Sequence, residues 1–104
     1  MNPLVTHNLE KIAELCRKHR VLRLEVFGSA VRDDFDPARS DVDFMVEFQP
    51  GIALGGFGDR YFVLRRELEA LLGRPVDLVE EGCVRNPIVA ASIERSKVPV
   101  YAAA

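Results

Sequence analysis

Gly28 and Ser29 stand side by side, residues 30–40 follow, and then Asp41 and Asp43 stand two apart. A fifth residue of interest, Asp77, interrupts the apolar stretch PVDLV at 75–79. Aspartate is among the poorest strand formers, and a half-buried carboxylate is costly unless something compensates it. Side chains alternate along a strand, so Asp41 and Asp43 project from one face, about 6.5–7 Å apart. Two such carboxylates repel each other, and a divalent cation between them reverses that cost. Oxygen-only ligands suit Mg²⁺ or Mn²⁺ rather than zinc. Asp77 is the natural third ligand if its strand lies beside that of the pair. Three acids meeting at one point suit two metal ions and phosphoryl or nucleotidyl transfer.

Gly28 and Ser29 supply the other half of such a site. Glycine at a strand-to-helix turn lets the backbone approach a ligand closely. The amides of the next turn and the Ser29 hydroxyl then face an anion at a helix N-terminus. Arg32, one turn on, adds positive charge for phosphates. Phosphate at Gly28, Ser29 and Arg32 with metal at the aspartates describes a nucleoside triphosphate site. Asp33, Asp34 and Asp36 read as a solvated loop and lack the glycine and glutamate spacing of an EF-hand. The chain contains neither a Walker-A sequence nor a GxGxxG motif.

The elements that must position these residues alternate between helix and strand. Leu9, Ile12, Ala13 and Cys16 recur at helical spacing, predicting a helix over 3–19 started by Asn2 and Pro3. VLRLEVF at 21–27 predicts a strand with Leu22, Leu24 and Val26 on one face and Arg23 and Glu25 on the other. SAVRDD reads as a short helix. Residues 42–48 form the next strand, with Val42, Phe44, Val46 and Phe48 on one face and Asp41, Asp43, Met45 and Glu47 on the other. The glycine-rich 49–58 is a loop, with Asp59 as cap of a helix striped by Tyr61, Leu64, Leu68 and Leu71 and stopped at Gly73. A strand at 75–80, a helix from Asn86-Pro87 to about Ser96, and an edge strand VPVYA containing Pro99 complete the chain. The expected class is α/β (α+β), a small mixed β-sheet with helices packed on it.

The bulk numbers bound the function. One domain over 1–104 fits the chain of 104 residues. A formal charge of −2, from 14 basic and 16 acidic residues, argues against a binder of long nucleic acid, which needs a basic stripe. No apolar run approaches the roughly 20 residues that span a bilayer, and the N-terminus carries no signal-peptide pattern. Cys16 and Cys83 are isolated and make no metal pattern with His7 or His19, which reads as reduced thiols in a cytoplasmic protein.

The stretch GSAVRDDFDPARSDVDFMVEF resembles the signature of the minimal nucleotidyltransferase (MNT) group of the polymerase-beta-like nucleotidyltransferase superfamily. That pattern is Gly-Ser, a spacer, Asp-x-Asp and a third acid on a later strand. Gly28, Ser29, Asp41, Asp43 and Asp77 meet it here. The likeness runs on through the long helix, the Val-Asp-Leu-Val strand and the closing NPIVAASIERSKVPVY. The spacer is one residue longer than is usual in the family, and Asp33 stands where glycine often follows the motif arginine.

The resemblance implies a nucleotidyltransferase fold, ATP as nucleotide substrate and two Mg²⁺ or Mn²⁺ ions. It assigns one ion to Asp41, Asp43 and the triphosphate and the other to Asp41, Asp43 and Asp77, with Asp77 also a general base. It implies as partner a HEPN-domain ribonuclease toxin, whose tyrosine hydroxyl would receive AMP, making this chain the antitoxin of the pair. The chain ends at Ala104, soon after the closing strand, so the acceptor is expected on another molecule in a hetero-oligomer. The alternative is a catalytically weak or inactive binding module that neutralises its partner by complex formation. Metal-dependent nucleotide turnover separates the two.

Overall fold

The computed structural model describes residues 3–28, 31, 41–50 and 57–103. Its elements run α1 (Pro3–Thr6), α2 (Leu9–Lys18), β1 (Val21–Phe27), β2 (Val42–Phe48), α3 (Phe57–Leu72), β3 (Val76–Glu80), α4 (Pro87–Ser96) and β4 (Val98–Ala102). The strands form one sheet in the order β3-β2-β1-β4. β1 pairs antiparallel with both β2 and β4, whereas β2 and β3 run parallel. The expected mixed sheet is therefore present, and β4 with Pro99 is an edge strand as expected.

One face of the sheet carries the main core. Val21, Leu24 and Val26 of β1, Val42, Phe44 and Val46 of β2, and Val76 and Leu78 of β3 are buried there. They pack against Val5, Ile12 and Cys16 of the first two helices and Leu64, Leu68 and Leu72 of α3. Each such side chain contributes about 1.5–3 kcal/mol on leaving water. Truncating the fully buried Phe44 to alanine would cost about 3–5 kcal/mol. α4 lies on the other face, where buried Ile93 and Met45 line a small cavity of about 120 Å³.

Three expectations need correction. The helix over 3–19 is split at Thr6–Leu9, because the Asn8 amide side chain donates to the Leu4 carbonyl (2.8 Å) and competes with helical bonding. In β1 the core residue is Val21 rather than Leu22, since the β1–β2 register shifts between Val21 and Arg23. Asp59 does not cap α3, which begins two residues earlier at Phe57. Other local signals hold. Gly73, with φ +68°, ends α3, and the Asn86 side chain accepts from the amides of Ile88 (2.9 Å) and Val89 (3.4 Å) to start α4.

The outer edge of β3 is covered by α3. The Val42 amide donates to the Pro75 carbonyl and the Glu81 amide to the Val46 carbonyl, so odd-numbered residues of β3 face β2 and even-numbered ones face outward. Glu69 accepts from the outward Val76 amide (3.0 Å), and the Tyr61 hydroxyl donates to the outward Leu78 carbonyl. These bonds blunt an edge that would otherwise invite strand pairing. No helix among the described residues is long and apolar enough to cross a membrane.

Candidate active site

β1 ends at Phe27, and Gly28 follows with φ +72°, a left-handed conformation that side chains other than hydrogen rarely adopt. Phe27 is the register partner of Asp43 on β2, and Asp43 is in turn the register partner of Asp77 on β3. Register partners share a face of a sheet, so Phe27, Asp43 and Asp77 form one transverse row. Met45, two residues beyond Asp43, lies on the same face beneath α4. The aspartates thus project from the face opposite the main core.

Gly28 closes directly on this row. A Cβ built on it would overlap Oδ2 of Asp43 and stand 3.4 Å from its Cγ. The half-buried Asp43 carboxylate therefore rests against bare backbone. The Val31 amide donates to the Gly28 carbonyl (3.1 Å). This supplies the reason for glycine at position 28: any other residue would need both a strained φ and the space Asp43 occupies.

Asp77 is exposed, and Asp41 is exposed one residue ahead of β2. Among the sequence-derived candidates, the fold brings together Gly28, Asp43 and Asp77. Among the described residues, no three His, Cys, Asp or Glu side chains are grouped to hold a metal ion. Ser29 and Arg32, together with Asp33, Asp34 and Asp36, lie outside the described residues. The donor chemistry of Asp43 and Asp77 nonetheless fits a hard divalent cation: oxygen ligands, one strand spacing of about 4.8 Å apart.

The sequence reading missed a charged pair behind this row. Glu25, buried on β1, is ion-paired at 3.3 Å with Lys97, the C-cap residue of α4. Glu25 is the register partner of Met45, which places it on the carboxylate face diagonal to Asp43. The available signal was Glu25 alternating with Phe27 just ahead of the Gly28 turn; nothing local pointed to Lys97.

The chain is similar to known proteins along most of its length. The nucleotidyltransferase domain family model matches residues 9–100. A Methanocaldococcus jannaschii protein named "Putative protein adenylyltransferase MJ0128" is 32% identical over 102 residues, covering 88% of this chain and 97% of that protein. The solved structure of a "putative minimal nucleotidyltransferase" superposes with TM-score 0.67 at 32% identity, over 95% of this chain and 96% of that one. A chain from the complex of tri-AMPylated Shewanella oneidensis HEPN toxin with MNT antitoxin has the same fold, with TM-score 0.65 at 18% identity, over 95% and 73% of the two chains. The nucleotidyltransferase model spans most of the chain and the relative is 32% identical along it, so the chain belongs to the nucleotidyltransferase domain family.

Proposed function

We propose that this nucleotidyltransferase, one domain over 1–104, transfers AMP from ATP to a tyrosine hydroxyl of a HEPN-type ribonuclease toxin, and so acts as an antitoxin. The observation that carries the reading is the Gly28–Asp43–Asp77 row, which sets bare backbone beside two carboxylates on one sheet face. The similarity to a protein named as an adenylyltransferase supports AMP as the group transferred. The shared fold with an MNT antitoxin chain supports the class of partner.

Gly28 lets the phosphates approach along the backbone, with Ser29 and Arg32 as further phosphate contacts. Asp43 and Asp77, with Asp41, are the residues that would hold Mg²⁺ or Mn²⁺. When bound, such ions neutralise phosphate charge and lower the pKa of the acceptor hydroxyl. Asp77, exposed at the end of the row, can accept the proton of that hydroxyl. The acceptor oxygen forms a bond to the α-phosphorus, and the bond from that phosphorus to the oxygen bridging to the β-phosphate breaks. Pyrophosphate leaves, and the proton ends on Asp77 or on solvent. No covalent intermediate on this chain is required.

The test is to combine the protein with the toxin, α-labelled ATP and Mg²⁺. Label and a mass gain of AMP should appear on the toxin and be lost in Asp43→Asn. An unmodified toxin in a stable complex would instead assign the protein to neutralisation by binding alone.

A further inference from the structure

Two carboxylates other than aspartates lie behind the catalytic row on its own face. Glu25 is opposite Met45, and Glu47 is opposite Arg23, stepping back from the Phe27–Asp43 pair by two and four residues of β1. Each is covered by a cation. The Arg23 guanidinium donates to Glu47 from Nε at 3.0 Å and again from its terminal nitrogen. Lys97 Nζ stands 3.3 Å from Oε1 of Glu25, with side-chain exposures of only 16% and 12%. The exposed Glu94, one turn back on α4, also accepts from Lys97 (3.0 Å).

The Glu25–Lys97 pair is not explained by stability. Desolvating two charges offsets most of their attraction, and well-packed apolar residues usually serve a fold as well. Its position is more informative. Diagonal neighbours across an antiparallel pair lie about 7–8 Å apart, and a glutamate side chain can cover most of that distance. A free Glu25 would therefore be a further hard oxygen ligand beside Asp43, on the wrong side of the row from Asp77. A cation bound there would gain affinity from the added charge and sit away from Asp77, the proposed proton acceptor.

The geometry points to Lys97 as a positioning residue that ties up Glu25 and so keeps the divalent cation on the Asp43–Asp77 side of the row. This deepens the proposed function and rests on its metal reading. Lys97 is suited to the task because it is fixed by backbone: its amide donates to the Ile93 carbonyl (2.8 Å) at the end of α4, and β4 begins at the next residue. Its effect on the cation runs through Glu25, while exposed Glu94 is a second partner of the same ammonium.

The experiment compares wild type, Lys97→Met, Glu25→Gln, the double variant and Asp43→Asn. The two readouts are Mn²⁺ affinity, from the electron paramagnetic resonance signal of the free ion, and the rate of AMP transfer. Lys97→Met should bind Mn²⁺ about tenfold more tightly yet transfer AMP about tenfold more slowly. Glu25→Gln should change Mn²⁺ affinity little, and the double variant should return both quantities to near wild type. A purely structural Lys97 would give unchanged or weaker Mn²⁺ binding in Lys97→Met and no recovery in the double variant, which would overturn the inference. Mn²⁺ binding that survives Asp43→Asn would overturn the metal reading itself, and this inference with it. Loss of binding in Asp43→Asn with unaltered affinity in Lys97→Met would overturn the inference alone.

Discussion

The Asp43 carboxylate occupies the space that a side chain at Gly28 would need. Gly28→Ala therefore faces two penalties at once. The residue must adopt φ near +72°, which costs about 1–2 kcal/mol for a side chain other than hydrogen. Its Cβ must also displace Asp43 from the row. The expected outcome is a modest loss of stability in urea unfolding with a far larger loss of AMP transfer. A variant with full activity and reduced stability would separate Gly28 from the site.

Asp77 is exposed, so its replacement leaves the core untouched. Asp77→Asn should unfold at close to the wild-type urea concentration. Its AMP transfer should fall by about 10²–10⁴-fold, the range for loss of a positioned general base. Circular dichroism and transfer assays on one preparation check both halves of the statement.

Glu67 on α3 gathers Lys18 (3.0 Å) and buried His19 (2.9 Å) at the end of α2. The hydrogen bond from Lys18 first, and that from His19 after it, hold the Glu67 carboxyl below its ordinary value. A lowered carboxyl stabilises the fold above its unfolded value of 4.5, and that contribution is lost as pH falls. Glu67→Gln should therefore cost about 1 kcal/mol near neutrality, a figure kept small because Glu67 is partly solvated. Urea midpoints for wild type and variant should converge in acid.

Cys16 is wholly buried beneath α2, whereas Cys83 is exposed after β3. Burial pushes the Cys16 thiol up to about 12 from 9.0. Iodoacetamide should label the native protein at Cys83 alone, and Cys16 only in denaturant. A raised thiol stabilises the fold below 9.0 and loses that contribution as pH climbs towards 12. The stability advantage of wild type over Cys16→Val should accordingly narrow across that interval.

Much of this protein was legible in the sequence because the information is local. Alternation in 42–48 separates the core face of β2 from the aspartate face, and Gly73 and Asn86-Pro87 mark helix ends by their own backbone chemistry. Gly28, Asp43 and Asp77 could be named because a glycine turn and aspartates in apolar strands conflict with structural preference. Their meeting was decided elsewhere. Sheet order puts β3 beside β2, and a register that matches Asp43 with Asp77 converts residues 34 positions apart into neighbours. Position 22 illustrates the limit in the other direction. Strict alternation assigns Leu22 to the core, but pairing with β2 shifts the register and buries Val21 instead. Glu25–Lys97 and Tyr61–Leu78 are likewise contacts between distant elements, invisible to any local pattern. Periodicity and turn chemistry act within a few residues, whereas register and ion pairing are settled only when the sheet assembles.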